Sequence, residues 1–261
     1  MKLRLGIFDS GIGGFSVLNS LMATRTDVEV IYLADNARNP YGEKSFDEIR
    51  NFAIQISNWF KEKKLDALLI ACNTTNSCAL DLLQNNLKIP CFDLINSVSK
   101  IVSTNEIGVL ATTATIKSSY YKKIIEAKCK NIKVYQQACP KFVSEIENIP
   151  MNIENICYLA DLYLKPLLDN NIGEMILGCS HYPLISQILR KKTPSHIDII
   201  DPSIALINNL NEFFYPAKKL KKIDFFHNVE FFATGKIDEF SFKVTNWLEI
   251  NKKITLVNLR T

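Results

Sequence analysis

"LLIACNTTNSCA" (Leu68–Ala79) and "MILGCSHYPLIS" (Met175–Ser186) share one layout: a short apolar run, a cysteine, then a cluster of small polar residues. A short apolar run bounded by polar residues reads as a buried strand. Each cysteine, Cys72 and Cys179, then stands at the mouth of such a strand, just ahead of a helix.

Working outward, the same rhythm fills the chain. "LRLGIF" (Leu3–Phe8) reads as a strand, "DSGIGG" (Asp9–Gly14) as a turn, and Phe15–Met22 as a helix. "VEVIYLAD" (Val28–Asp35) is a second strand and "NARNPYGEKS" (Asn36–Ser45) a loop. Phe46, Ile49, Phe52, Ala53, Ile56, Trp59 and Phe60 recur at helical spacing through Lys63. "ALLIAC" (Ala67–Cys72) is a third strand, with a helix expected after Ser77. The pattern then restarts, with strands at Ile107–Thr112, Ile132–Cys139, Glu174–Cys179 and Ile197–Ser203. Helices are expected at Thr115–Lys128, Phe142–Asp169 and Pro183–Lys192. A helix at Ser203–Phe214, a strand at Val229–Thr234 and a helix at Phe240–Leu248 close the chain. Strands alternating with helices predict an α/β protein with mostly parallel sheets covered on both faces. In each half a strand opens into "DS" or "AT" plus a helix, and a later strand opens into a cysteine plus a helix. Two pseudo-symmetric α/β units facing each other would put both cysteines on the walls of one cleft, at the carboxyl ends of the strands where open sheets bind ligands.

Composition narrows the class. The chain has 261 residues, 47% apolar and 22% charged, and a formal net charge of +4 from 31 basic and 27 acidic side chains. So small an excess points to neither nucleic acid nor a membrane surface. The basic runs Lys61–Lys64 and Lys218–Lys222 read as solvated surface. The N-terminus has no signal-peptide pattern, and no apolar run approaches the roughly 18 residues of a membrane span, so a cytoplasmic protein is expected. There the seven cysteines stay reduced. Their spacing lacks the paired pattern of a zinc site. Cys78, Cys91, Cys129, Cys139 and Cys157 read as small buried hydrophobes or inert thiols, and His196 and His227 as structural or surface residues.

A cysteine at a strand end lies near backbone N–H groups and the positive end of a helix dipole, and both favour a thiolate. Asn73, Thr74 and Thr75 after one cysteine, and Ser180 and His181 after the other, can donate to an anionic ligand. His181, two residues beyond Cys179, can exchange a proton with it. Asp9 ends the first strand and can reach the cleft beside Cys72. Two thiols facing one small substrate suit inversion at a carbon centre, one removing a proton and the other delivering one. The plainer alternatives are buried structural cysteines, a satisfied histidine, and a strand-to-helix turn at Asp9–Gly14 that merely needs glycines.

"GIFDSGIGGFSVL", "YLADNARNPYGEKS", "IACNTTNS", "GVLATTATIKSSYY" and "ILGCSHYPLI", in that order, closely resemble the glutamate racemases of the aspartate/glutamate racemase family. With "FFATGKIDEF" (Phe231–Phe240) the resemblance spans nearly the whole chain. It implies cofactor-independent racemisation supplying D-glutamate for peptidoglycan, no metal, and a homodimer. It implies a first domain of residues 1–96 plus 207–261, a second of 97–206, and an active site between them. It implies that Cys72 exchanges the α-proton of D-glutamate and Cys179 that of L-glutamate, assisted by Asp9 and His181, with Glu147 also serving the second thiol. Asp9, Ser10, Tyr41, Gly42, Asn73, Thr74, Thr112, Thr115, Ser180 and His181 match the substrate-binding positions. This chain departs from the pattern at "CFDLINSVSK" (Cys91–Lys100), at Ala111 for glycine, at Ser180 for threonine and at Ser144 for proline. The alternatives are a two-cysteine racemase of aspartate or another amino acid, and a binding or regulatory protein on the same fold.

Overall fold

The computed structural model describes residues 2–25, 27–128, 131–214 and 225–259. The elements run β1 (Leu3–Asp9), α1 (Phe15–Thr24), β2 (Val28–Ala34), α2 (Phe46–Lys61), β3 (Ala67–Ile70), α3 (Asn73–Leu87), β4 (Cys91–Asp93) and α4 (Leu94–Val98). A second series follows: β5 (Glu106–Ala111), α5 (Thr113–Ser118), α6 (Tyr120–Glu126), β6 (Lys133–Ala138), α7 (Phe142–Glu147), α8 (Ile153–Leu168), β7 (Glu174–Gly178), α9 (Ser186–Lys192) and β8 (Asp198–Ile200). The chain then returns through α10 (Pro202–Phe213), β9 (Val229–Ala233), α11 (Ile237–Leu248) and β10 (Ile254–Leu256).

Among the described residues ten strands form two sheets, ordered β10-β9-β2-β1-β3-β4 and β6-β5-β7-β8. Every pairing is parallel. The block β2-β1-β3-β4 has the same order as β6-β5-β7-β8, so the repeat absent from the sequence as tandem similarity is present as topology. In both blocks the chain reverses direction across the sheet at the strand pair that opens the crevice. Apolar cores cover both faces. Phe15, Tyr32, Phe231 and Phe240 cluster under the first sheet, with ring centroids 5.4–6.5 Å apart. Each such ring pair adds about 0.5–1.5 kcal/mol beyond its buried area. This cluster ties β9 and α11, late in the chain, to the loop after β1. α10 contributes Ala205 to one core and Leu206, Ile207 and Leu210 to another.

Local chemistry sets several boundaries. Ser45 and Glu48 form a reciprocal capping box at the start of α2. Asp201 caps α10, with Pro202 at its first position. Three boundaries differ from the sequence expectation. α3 starts directly at Asn73 rather than after Ser77, with Cys72 as its N-cap and a non-helical residue at Ala79. The run Asn73–Ser77 has poor helix propensity because its side chains compete for backbone groups. Here the Asn76 amide donates to the Ile70 and Cys72 carbonyls while its oxygen accepts from Leu94 N, which locks the turn. The expected helix at Phe142–Asp169 is interrupted by Asn148–Asn152, where Asn152 caps a new helix, so Glu147 falls at the end of α7. Ser119, left-handed at φ 54°, splits the helix expected at Thr115–Lys128. β4 and β10, three residues each, are too short to carry a periodicity.

Lys61, Glu62 and Lys64 are exposed, and His196 is exposed. The run Lys218–Lys222 and Cys129 lie outside the described residues. The six described cysteines are free thiols; Cys139 is buried, while Cys78, Cys91 and Cys157 are only partly covered. Among the described residues no helix is long and apolar enough to cross a membrane.

Candidate active site

Four strand ends converge on the site. Asp9 ends β1, Cys72 follows β3 as the cap of α3, Thr112 follows β5 as the cap of α5, and Cys179 follows β7. Cys72, Thr112 and Cys179 wall a cavity of only about 10 Å³, also lined by Ser10, Tyr41, Gly42, Asn73, Thr74, Ser180 and His181. That is room for about one water. Asp9, Thr115 and Glu147 stand one hydrogen bond behind this wall. Every residue singled out from the sequence is thus brought to one place. No lysine lines the cavity, and no three described His, Cys, Asp or Glu side chains are grouped as a metal site.

The turn Asp9–Gly14 passes between the two halves. No described glycine has a positive φ, so the glycines there do not serve backbone conformation. They serve proximity: a Cβ on Gly13 would lie 2.3 Å from Ser180 Oγ and 2.5 Å from His181 Nδ1, and one on Gly11 would lie 2.3 Å from Glu147 Oε1. The turn is held from beneath by Tyr32, whose hydroxyl donates to the Gly11 carbonyl at 2.9 Å.

The two thiols sit in different electrostatic settings. Cys72 is 3% exposed, and its Sγ lies 3.8 Å from Ser10 Oγ. Burial, and then the nearby Asp9 carboxylate, push this thiol up to about 12, although Thr75 and Ser10 pull it partly back. The thiolate expected from the helix dipole is therefore not favoured at Cys72, because desolvation outweighs one helix terminus. Asp9 is fully buried, accepting from Gly11 N and from Ser180 Oγ, both at 2.8 Å. Cys179 Sγ is 3.9 Å from His181 Nδ1, and His181 Nε2 is 2.7 Å from Glu147 Oε1. Burial opposes the imidazolium, but hydrogen bonds to Cys179 and Glu147 hold the ring well above the usual histidine value. Burial likewise opposes the Glu147 carboxylate, yet His181 and then Lys243 bring it down to about 2. Glu147 therefore reaches Cys179 only through His181.

Donors for carboxylates surround the thiols. Asn73 Oδ1 accepts from the Tyr121 hydroxyl at 2.6 Å, and its Nδ2 is buried without a partner. A buried amide without a partner is costly unless a ligand completes it. Thr74, Thr112 and Thr115 join their hydroxyls at 2.9–3.4 Å, one from the first series and two from the second. The Tyr41 hydroxyl points away, donating to Asp35.

Sequence reasoning missed Asn39 and Lys243. Asn39 lines the cavity and donates to Glu147 at 2.8 Å. It lies within "NARNPYG", so the motif marked the loop but not the side chain. Lys243 Nζ meets Glu147 Oε2 at 2.7 Å from α11. A single lysine on an amphipathic helix reads as surface, and no local signal reveals its partner.

Comparison with known proteins bears on the family and the fold. The family model described as Asp/Glu/Hydantoin racemase matches residues 16–210. A glutamate racemase of Prochlorococcus marinus (strain NATL1A) is 44% identical over 99% of this chain and 98% of its own. Among solved structures, glutamate racemase isoform RacE1 from Bacillus anthracis superposes with a TM-score of 0.89 at 29% identity, covering 98% of both chains. The Francisella tularensis glutamate racemase, solved with D-glutamate, has a TM-score of 0.88 at 34% identity, covering 99% of this chain and 98% of its own. With the family match, the full-length relatives and two parallel α/β sheets enclosing paired thiols all in agreement, this chain belongs to the Asp/Glu/Hydantoin racemase family and is an amino-acid racemase.

Proposed function

We propose that this protein interconverts L- and D-glutamate without a cofactor, Cys179 exchanging the α-proton on the L face and Cys72 on the D face. The observation that carries the reading is the pair of thiols on one small cavity, each with its own acid–base neighbour. Glutamate is favoured over other amino acids because the relatives similar over the full length are glutamate racemases, and one was solved with D-glutamate.

The protonation states support a direction of readiness. His181 is held protonated beside Cys179, so an imidazolium stands ready to balance the charge of a sulfur acting there as base. Cys72, at about 12, keeps its proton at neutral pH. In the L-to-D direction the α C–H bond breaks and its proton goes to the Cys179 thiolate. The Cys72 thiol then delivers its own proton to the opposite face, leaving a thiolate beside Ser10 and Thr75. The reverse direction starts from that second state, with Asp9 assisting Cys72. The α-proton of an amino acid is very weakly acidic, so the carbanion needs fixed donors in a closed, dry cleft. Asn73, Ser10, Ser180 and the threonine cluster are the groups that hold the two carboxylates, supported by the helix N-termini of α3 and α5. The reading includes two domains, residues 1–96 plus 207–261 and residues 97–206. It also includes a cytoplasmic homodimer supplying peptidoglycan synthesis.

The test is incubation with L-glutamate in deuterated water. Loss of the α-proton signal with appearance of D-glutamate, unchanged after dialysis against chelator and without pyridoxal absorbance, is expected. Faster turnover of aspartate, or activity lost on chelation and restored by a divalent ion, would overturn the reading.

A further inference from the structure

Glu147 is gripped from both sides of the cleft. Its Oε1 accepts from His181 Nε2 at 2.7 Å, from Asn39 Nδ2 at 2.8 Å and from Ile12 N at 3.3 Å. Its Oε2 accepts from Lys243 Nζ at 2.7 Å. Glu147 and His181 belong to the series that builds the four-stranded sheet. Ile12, Asn39 and Lys243 belong to the series around the six-stranded sheet. Three of the four partners therefore come from the opposite unit.

We propose that Lys243 is a positioning residue for the Cys179 half of the site: from α11 it grips Glu147 across the cleft and so holds His181 with Nδ1 toward Cys179. The inference rests on the two-thiol reading above. A carboxylate bound through one oxygen can swing about its Cβ–Cγ and Cγ–Cδ bonds. Bound through both, its plane is fixed, and Oε1 stays aimed at Nε2. That is how a carboxylate sets the orientation and tautomer of a catalytic imidazole. Lys243 is itself held by Glu239 one turn earlier, at 3.2 Å. A surface ion pair of this kind contributes little, but here the side chains are only 14% and 12% exposed, and His181 is 2% exposed. Opening the cleft to admit a substrate would release Glu147 from all three opposite-unit donors together. The L-face base is thus completed only when the cleft closes.

The test is elimination from each enantiomer of 3-chloroglutamate, which needs only one proton-removing thiol. Lys243→Met should lower kcat from the L form about 10- to 100-fold, with KM and the D-form rate within about twofold. Lys243→Arg should restore most of the loss, and Asn39→Val should show the same bias toward the L form. An equal loss from both enantiomers, or none, overturns the proposal. A loss confined to the D form would keep Lys243 as a positioning residue and reverse the assignment of thiols to faces. A nitrogen-15 spectrum of His181 reads the same contact without turnover. The slowly exchanging Nε2–H signal should be present in wild type, lost in Lys243→Met and regained in Lys243→Arg. Its persistence in Lys243→Met, in a variant whose melting temperature is unchanged, also overturns the proposal.

Discussion

Ser180 Oγ donates to Asp9 Oδ2 at 2.8 Å, joining the residue after one thiol to the carboxylate beside the other. Asp9 is fully buried and its second oxygen is taken by Gly11 N, so Ser180 completes its shell. The two halves are wired together through this contact, and a substrate cannot enter a cavity of about 10 Å³ while it stays closed. Binding must open the walls.

Each single thiol replacement should abolish racemisation while leaving one half-reaction. Serine keeps the shape but is a far weaker acid, hence a poor base near neutral pH. Cys72→Ser should still eliminate from the L form of 3-chloroglutamate, and Cys179→Ser from the D form. Elimination from the same enantiomer by both variants, or near wild-type racemisation by either, would refute the opposed-thiol arrangement.

His181→Asn should slow proton removal from L-glutamate more than from D-glutamate. Positioned acid–base assistance is typically worth about 100- to 10,000-fold. The measurement is the deuterium isotope-sensitive rate in each direction. Equal, small effects would mean that His181 only shapes the wall.

Gly13→Ala should jam closure, since its Cβ would sit 2.3 Å from Ser180 Oγ and 2.5 Å from His181 Nδ1. A displacement of about 1 Å at the reacting groups costs on the order of 100-fold in rate. We expect that loss in kcat/KM with a melting temperature close to wild type, because an open cleft relieves the clash. Wild-type kinetics would show that the contact is not made during turnover.

Glu147 offers a pH test. Its carboxyl lies at about 2 in the fold against an ordinary 4.5. The folded value is depressed, so the stabilisation is complete above about 4.5 and is lost as pH falls toward 2. The difference corresponds to on the order of 3 kcal/mol. Denaturant unfolding of wild type should therefore lose about that much more stability across the window than Glu147→Gln does, the other carboxylates being common to both. Parallel curves would place the Glu147 carboxyl in its ordinary range.

Apolar runs, glycine-rich turns and helical spacings determined the alternation of strands and helices, because burial periodicity is written locally. The same local record put Cys72, Cys179, Asp9 and His181 at strand ends. The expected start of helix α3 lies several residues too late because Asn73–Ser77 is a poor helix sequence, here locked by Asn76 bonding back to β3 and across to the start of α4. What the tertiary structure alone decided is how the two halves divide the chemistry. By register Asp9 and Ala111 occupy equivalent ends of β1 and β5, and Thr74 and His181 follow equivalent cysteines. One half thus keeps a carboxylate where the other has a methyl, and a hydroxyl where the other has an imidazole. The protonated thiol at Cys72 depends on burial beside Asp9, which a helix-dipole argument from sequence omits. The grip of Asn39 and Lys243 on Glu147 joins residues 108 and 96 positions apart. No local pattern encodes such a contact, because its energy comes from the attraction between charged and polar groups that meet, shielded from water, only when the two sheets face each other.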